Sequence, residues 1–271
     1  MNNFELFTEL HYQNEPLLIG NVWDVESAKI FEQNNYKAIG TSSAALANTQ
    51  GYKDGENIPF QLLLSIAERI AGSTSIPLTV DMEAGYATSS SMIIENIEKL
   101  HQAGVVGINY EDSIIGANPQ LKPLEASERA IFDIANYLNR NNIGIFLNAR
   151  IDTYLLRVTA RLEETLIRSK AYENAGANGI FVPCMVEKSD IARVVSNTKL
   201  PVNVMCMPDL PSFMALKDLG IRRISMASFV YKTMIKYLEA SIQRIEKEGT
   251  FSGLFADSIA EGLKVTDIIS Q

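Results

Sequence analysis

The strongest constraint on the fold is a repeat in the chain, in which short apolar runs alternate with segments of helical periodicity. Eight such runs, most of them ending in polar residues, occupy residues 17–24, 38–43, 78–83, 107–112, 145–150, 179–184, 201–206 and 223–227. Three helical segments end at a glycine shortly before the next run, at Gly104, Gly176 and Gly220. Helix, glycine and buried strand in succession are typical of a parallel α/β fold. Eight units favour a (β/α)8 TIM barrel over an open doubly wound sheet.

The domain organisation follows from the absence of a linker rich in Pro, Gly or Ser. We therefore expect one domain over residues 1–271. Residues 3–13 read as a short amphipathic helix that caps one end of the barrel. Residues 229–248 predict a long helix after the last strand, and residues 251–269 predict a shorter helical piece that packs against the barrel or a neighbouring subunit.

Composition narrows the classes of partner. The net charge is −8, the pI is near 5.0, and the basic residues are dispersed, which argues against nucleic acid or an anionic membrane as the main partner. No stretch approaches the roughly 18 apolar residues of a membrane span. The N-terminus has no basic region followed by an apolar run, and Cys184 and Cys206 lack disulfide or zinc spacing. We expect a cytoplasmic protein.

Asp81 and Glu83 end the third run with one residue between them. Alternate side chains on a strand face the same way, so these two carboxylates project together. Their mutual repulsion needs a cation, and Mg²⁺ is the hard divalent metal that oxygen ligands hold most often. The alternative is a strand end whose acids are solvated.

The other strand ends favour the metal hypothesis, because the chemistry of a (β/α)8 barrel gathers at that edge. The polar, charged and thiol side chains there are Asp24, Ser42, Ser43, Asp81, Glu83, Glu111, Asp112, Arg150, Asp152, Cys184, Cys206 and Ser225. So many acids at one mouth need a counter-charge. Arg150 needs a carboxylate partner, which is either Asp152 or Glu111 or a carboxylate of the substrate.

Several reactions are disfavoured by residues that are missing. No lysine stands at a strand end, so an imine-forming aldolase is not expected. His11 and His101 lie in predicted helices, where we expect surface or capping roles. Cys184 and Cys206 are expected to be core thiols.

Four segments together resemble the isocitrate lyase and phosphoenolpyruvate mutase superfamily over about residues 17–246. They are Gly40-Thr41-Ser42-Ser43-Ala44 with Gly51-Tyr52-Lys53-Asp54, then Asp81-Met82-Glu83-Ala84-Gly85-Tyr86, then Tyr110-Glu111-Asp112, then Asn148-Ala149-Arg150-Ile151-Asp152. The resemblance implies a (β/α)8 barrel that forms a homo-oligomer, usually a tetramer and otherwise a dimer, with the last helix exchanged between subunits.

The resemblance also implies a cofactor and a substrate class, namely Mg²⁺ and a small 2-oxo acid that passes through an enolate. By match, Asp81 is the direct metal ligand, while Glu83, Glu111 and Asp54 hold metal-bound water. Glu83 stands where many members have Asp, and its side chain, longer by one methylene, suggests contact through water or a slightly displaced metal.

By the same match, the substrate carboxylate is bound by Ser42, Ser43 and the Ala44 amide, with Arg150 on the opposite side. Metal and arginine would neutralise the oxyanion that develops on the substrate.

The loop over residues 113–124 departs from the superfamily's carbon–carbon lyases, which carry a catalytic cysteine and a histidine there; this loop has neither. Asn118 is the counterpart of a polar residue found in the phosphonate-processing members. Gly40 stands where the mutases often have tryptophan.

We therefore expect a Mg²⁺-dependent lyase acting on a small 2-oxo (di)carboxylic acid, most simply a decarboxylase of an oxaloacetate-like acid, with water or Tyr86 as the proton donor. The first alternative is phosphonopyruvate mutase or hydrolase chemistry that uses Asn118. The second is a barrel that binds a 2-oxo acid without turnover.

Overall fold

The structure is a computed structural model that describes residues 1–114, 116 and 118–255. A first compact unit spans residues 1–228, and a second begins at Phe229. Most of the helical piece expected over residues 251–269 lies outside the described residues, so the single domain over 1–271 stays a prediction.

Eight parallel strands close into a barrel, in the order β1-β2-β3-β4-β7-β8-β9-β10, with β10 pairing back to β1. The barrel strands are β1 (Leu17–Val22), β2 (Ile39–Thr41), β3 (Leu78–Asp81), β4 (Gly107–Glu111), β7 (Phe146–Arg150), β8 (Gly179–Phe181), β9 (Val202–Met205) and β10 (Arg223–Ser225). Each strand falls within one of the eight predicted runs. The (β/α)8 barrel is confirmed.

Helices alternate with these strands. They are α1 (Asn3–Leu10), α2 (Val25–Gln33), α3 (Ser43–Thr49), α4 (Phe60–Ala71), α5 (Ser90–Gln102), α6 (Leu124–Arg140), α7 (Arg161–Asn174), α8 (Lys188–Asn197), α9 (Phe213–Asp218) and α10 (Phe229–Glu248). None of the helices in the described part of the chain is long and apolar enough to cross a membrane.

A small antiparallel hairpin interrupts the alternation after β4. It pairs β5 (Ser113–Ile114) with β6 (Gln120–Leu121) and leads into α6. The hairpin contains the loop that distinguishes this chain from the carbon–carbon lyases, and it places that loop directly beside the carboxyl end of β4.

The interior of the barrel carries a polar layer where branched apolar side chains usually pack. Asn148 Nδ2 lies 2.9 Å from Asn109 Oδ1 and 3.3 Å from Asn203 Oδ1, and Arg223 Nη2 lies 3.3 Å from the same Asn109 oxygen. All four residues are buried. Asn109 and Asn148 lie on the paired strands β4 and β7, whereas the contacts Asn148–Asn203 and Arg223–Asn109 join strands that are not neighbours and so cross the barrel interior.

Helix α1 packs its apolar face among barrel residues, as expected of the capping helix. Phe7 is fully buried, and its ring lies edge-on to Phe146, with centroids 5.6 Å apart. His11 follows α1 and is buried rather than exposed, with its ring stacked on Phe146. The expected surface position was wrong, but a capping role holds, because His11 Nδ1 bonds the Phe7 carbonyl at 2.7 Å.

Candidate active site

The carboxyl ends of β2, β3, β4 and β7 surround a cleft of about 650 Å³. Its walls include Ser43, Asp54, Glu83, Glu111 and Arg150, five of the residues that the sequence predicted for the site. The barrel therefore brings together side chains that are up to 107 positions apart, since parallel strands end at one edge.

Asp81, the last residue of β3, has one engaged and one free carboxylate oxygen. Its Oδ2 accepts a hydrogen bond from Ser43 Oγ at 2.9 Å and lies 3.9 Å from Arg150 Nη1. Its Oδ1 is buried without a hydrogen-bond partner among the described residues. A buried carboxylate oxygen is costly to leave unpaired, so this atom marks a position for a cation or for ordered water.

Glu83 is held by the protein itself. Its Oε2 accepts from the Glu56 amide at 3.0 Å, and its Oε1 accepts from the Tyr86 hydroxyl at 2.8 Å. Burial, followed by the negative charge of Asp81, raises the pKa of Glu83 to about 7. Both carboxylate oxygens already have partners, which favours contact with a metal through water.

Glu56 is a site residue that the sequence pattern did not reveal. Its Oε1 accepts from the Tyr86 amide at 2.6 Å, while its own amide donates to Glu83. These reciprocal bonds join the loop after α3 to the loop after β3. Glu56, Glu83 and Tyr86 all have left-handed backbones, with φ of 54°, 48° and 56°, and such strain concentrates at functional sites.

Arg150 ends β7 and contacts carboxylates on two sides. Its Nε lies 2.7 Å from Asp152 Oδ1, and its Nη1 lies 2.8 Å from Glu111 Oε2. The expected partners Asp152 and Glu111 are thus both present. With the Nη2 contact to Asp152 at 3.2 Å, three of the five guanidinium N–H groups are engaged, which leaves two for a ligand.

Ser113 links two of these carboxylates, a contact that the sequence did not indicate. Its Oγ lies 2.8 Å from Glu111 Oε1 and 2.8 Å from Asp152 Oδ2. A hydroxyl has one proton to donate, so one of the two contacts needs a proton on the carboxyl group. Burial raises the pKa of Glu111 to about 8 against the opposing effect of Arg150, and Glu111 is therefore suited to hold that proton.

Asp112 supports the site instead of lining it. Its carboxylate accepts from the Asp152 amide, from Arg168 Nη1 at 3.1 Å and from the Tyr172 hydroxyl at 2.8 Å. Arg168 Nη2 also donates to the Lys122 carbonyl at 2.9 Å. This buried network joins α7, the end of β4 and the exit of the hairpin.

The predicted carboxylate-binding segment begins α3. Ser42 is buried and caps the helix, with its Oγ accepting from the Ala45 amide, while Ser43 faces the cleft. The first amides of a helix have no intrahelical acceptor, and Ser43 and Ala44 supply two of them. Asp24 caps α2 in the same way, with its Oδ1 accepting from the Ser27 amide, and is not among the described residues of the cleft wall.

Asp54 brings its carboxyl group towards the same region. Partial burial and the charge of Asp81 raise its pKa, while a hydrogen bond from Ser43 opposes that shift. Asn118 and Tyr86 are not among the described residues that line the cleft. Asn118 is exposed in the hairpin turn, and the Tyr86 hydroxyl is occupied by Glu83. Their catalytic roles stay predictions.

Neither cysteine nor histidine occurs among the described residues of the cleft wall. Cys184 and Cys206 are free and partly buried, and burial raises the pKa of the Cys184 thiol. Neither is fully buried, so the expected core position is met only in part.

The side chains fit Mg²⁺ only in one mode of binding. Within the described ranges, no group of three or more His, Cys, Asp or Glu residues could hold a metal directly. Mg²⁺ commonly keeps several waters and takes one or two protein carboxylates. The unpaired Asp81 Oδ1, with Glu83, Glu111 and Asp54 nearby, fits one direct ligand and a surrounding shell of water.

Comparison with known proteins agrees with the geometry. The phosphoenolpyruvate phosphomutase family model matches residues 7–246. An uncharacterized protein of Mycobacterium tuberculosis is 32% identical over 243 residues, covering 90% of this chain and 89% of its own length. An oxaloacetate decarboxylase of Paraburkholderia xenovorans is 24% identical, over 86% of this chain and 79% of its own.

A crystal structure of a putative phosphonomutase from Burkholderia cenocepacia superposes with a TM-score of 0.84 at 33% identity, covering 89% of this chain and 99% of that one. The fold, the carboxylate cluster and the family match lead to one assignment. The chain belongs to the phosphoenolpyruvate phosphomutase family, within the isocitrate lyase and phosphoenolpyruvate mutase superfamily that its motifs resemble.

Proposed function

We propose that the protein is a Mg²⁺-dependent lyase that acts on a small 2-oxo dicarboxylic acid through an enolate, most simply as a decarboxylase. The observation that carries the proposal is Asp81 Oδ1, a buried and unpaired carboxylate oxygen beside Arg150 and the cleft. When bound there, Mg²⁺ would supply positive charge against the oxyanion of the reacting substrate.

Side chains and backbone amides of the cleft bind and orient the substrate. The first amides of α3, from Ser43 and Ala44, bind the carboxylate next to the 2-oxo group, while the Ser43 hydroxyl stays bonded to Asp81. The two free N–H groups of Arg150 face negative charge that develops on the substrate. Asp152 and Glu111 fix the plane of the guanidinium, so its orientation is set before the substrate enters.

Proton transfer is assigned to oxygen acids. Burial raises the pKa of Glu111, which shares the Ser113 hydroxyl with Asp152, so Glu111 is the carboxyl group best suited to hold a proton. Decarboxylation needs a proton delivered to the enolate carbon but no thiol acid. We propose that Glu111 supplies it, directly or through water, with Tyr86 as the alternative donor.

Relatives support this class of reaction without identifying the substrate. Curated relatives include oxaloacetate decarboxylases and a 2-methylisocitrate lyase from Shewanella oneidensis, at 24–26% identity. The absence of cysteine and histidine from residues 113–124 favours decarboxylation over thiol-assisted carbon–carbon cleavage.

The test is turnover of oxaloacetate by purified protein with Mg²⁺, with pyruvate formation followed by a coupled lactate dehydrogenase assay. Protein-free Mg²⁺ corrects for spontaneous decarboxylation. We expect activity that is lost in Asp81→Asn and in Arg150→Met. If neither oxaloacetate nor related 2-oxo acids are consumed, the lyase proposal is wrong.

The same preparation tests the alternatives. Conversion of phosphonopyruvate, seen by phosphorus NMR and abolished by Asn118→Ala, would support phosphorus–carbon chemistry instead. Ligand-induced thermal stabilisation without any product would support a binding protein.

A further inference from the structure

The charges around the cleft are unequal. Four carboxylates line it, from Asp54, Glu83, Glu111 and Asp152, against two cations, Lys53 and Arg150. Asp81 beside the cleft adds a fifth carboxylate, so with every carboxyl group counted as ionised and one divalent cation bound the formal sum is still −1. A substrate with two carboxylates then needs a cation that the wall acids do not already neutralise.

Lys53 meets this requirement and Arg150 does not. Arg150 is paired with Glu111 and with Asp152 at 2.8 and 2.7 Å. Lys53 lines the same cleft and forms no ion pair with any residue that the structure describes. It is therefore the cleft cation with its charge still available.

The loop that carries Lys53 is fixed on both sides. Before it, the Tyr52 amide donates to the Ala47 carbonyl at 2.8 Å. After it, the Glu56 amide donates to Glu83 at 3.0 Å, and Asn57 Nδ2 donates to the Asp54 carbonyl at 3.0 Å. A loop held in this way needs little backbone ordering on binding, so only the lysine side chain has to be ordered.

We propose that Lys53 binds the substrate carboxylate remote from the 2-oxo group, so that the site selects 2-oxo dicarboxylates over 2-oxo monocarboxylates. The inference rests on the proposed function and names the specificity residue of that same site. Lys53 lines the same cleft as Ser43 and Arg150, so a dicarboxylate held there by its 2-oxo end has its second carboxylate available to this ammonium group.

The proposal predicts a division between KM and kcat. A salt link that exists in the bound substrate and is not strengthened in the transition state lowers KM without raising kcat. Where the remote carboxylate leaves as neutral CO2, its link to Lys53 weakens during the reaction. Losing Lys53 should therefore leave kcat unchanged or slightly higher.

The experiment compares wild type, Lys53→Met and Lys53→Arg as Mg²⁺-loaded full-length proteins. For oxaloacetate we expect Lys53→Met to raise KM by about tenfold or more, with kcat at or up to about twofold above the wild-type value. Lys53→Arg keeps the charge and should stay within about threefold of wild type. Inhibition by pyruvate, which has no second carboxylate, should be equal in all three proteins.

The outcomes separate this inference from the proposed function. If wild type consumes oxaloacetate and Lys53→Met has the same KM, or weakens pyruvate equally, the assignment of Lys53 is wrong and the lyase proposal stands. If wild type neither consumes nor binds any 2-oxo acid, both are wrong. Circular dichroism of Lys53→Met excludes misfolding as a cause, since this exposed side chain packs against no core.

Discussion

Asp81 differs from the carboxylates around it in what its two oxygens contact. The carboxylate oxygens of Glu83 and Glu111 accept from amide, hydroxyl and guanidinium donors. Asp81, in contrast, has one buried oxygen without a partner in the described chain. The residue that the motif named as the direct metal ligand is thus the one with an open coordination position. The partners of individual oxygen atoms, rather than the number of acids, therefore distinguish the proposed metal ligand from the other carboxylates.

Replacing Asp81 with Asn should weaken Mg²⁺ binding by more than about tenfold and lower kcat by about a hundredfold or more, since an amide carries no charge for a hard cation. Titration calorimetry with Mg²⁺ measures the first effect without any substrate. Asp133→Asn is the matched control, because Asp133 pairs only with Arg129 on the surface of α6. Equal Mg²⁺ affinity in wild type and Asp81→Asn would contradict the assignment.

His11 connects one buried side chain to the pH dependence of stability. Burial, and then the charge of Arg223, lowers the pKa of His11 from 6.5 to about 3. The folded protein keeps the ring neutral at pH values where the unfolded chain is protonated. Unfolding therefore takes up a proton between these two values, and the fold loses stability as the pH falls below 6.5.

The His11 contribution should amount to about 2 kcal/mol of unfolding free energy between pH 6.5 and about 5, at roughly 1.4 kcal/mol per unit. Urea unfolding of wild type and His11→Gln at both pH values measures it. The His11 contribution is the unfolding free energy that wild type loses on acidification minus the loss in His11→Gln. His101→Gln serves as the control histidine, since His101 is only partly buried. If the His11→Gln and wild-type proteins lose equal stability on acidification, the ring is already charged in the fold.

At the scale of elements, one guanidinium fixes the position of α7 against the barrel mouth. Arg168 on α7 contacts Asp112 at the end of β4, Glu164 on its own helix and the Lys122 carbonyl after β6. Asp112 in turn accepts from the amide of Asp152, the partner of Arg150. A helix behind the barrel thereby helps to orient the arginine of the cleft.

Arg168→Met should cost about 3–5 kcal/mol of unfolding free energy, because it leaves the Asp112 carboxylate buried without its cation. Adding Asp112→Asn should recover part of the loss, since the uncompensated charge is then removed as well. Arg129→Met, which breaks a surface pair, should cost less than about 0.5 kcal/mol. Urea denaturation of wild type and the three variants measures these losses of unfolding free energy. Equal losses for Arg168→Met and Arg129→Met would contradict the network as described.

At the scale of the whole molecule, α10 bears on assembly. Its apolar side chains Val230, Met234, Ile235, Leu238 and Ile242 are 39–54% exposed. Four of them, Val230, Met234, Leu238 and Ile242, follow one another at intervals of four residues, which places them along one helix face. Apolar surface of this kind marks a site of association, and we propose that α10 contributes to a dimer or tetramer.

The double substitution Leu238→Glu with Ile242→Glu should dissociate that oligomer, because it would place two charges in an apolar contact. Light scattering after size exclusion should give a multiple of 30.0 kDa for wild type and a value near 30.0 kDa for the variant. Lys236→Glu, at an exposed polar position of the same helix, should leave the mass unchanged. A wild type that is already monomeric would contradict the proposal.

How far the sequence predicts this molecule depends on the range of the interactions. The eight strands and the long helix follow local periodicity, and the strand ends supplied Asp81, Glu83, Glu111 and Arg150. The β5–β6 hairpin was missed because strands of two residues carry no period. Ser113, Glu56 and Arg168 were missed because each contacts acids 27 to 56 positions away, and nothing local signals such contacts.

The polar layer inside the barrel has a consequence for how the strands find their partners. Apolar strands of similar composition tolerate shifts of register, because one branched side chain can replace another in an apolar core. Here a slip of β10 by one residue would turn Arg223 out of the barrel. Asn109 Oδ1 would then lose one of its two hydrogen-bond donors. Sliding β7 would likewise separate Asn148 from its acceptors on β4 and β9. The polar layer therefore favours the native register of the strands. A misaligned barrel would leave buried polar side chains without hydrogen-bond partners and would be destabilised.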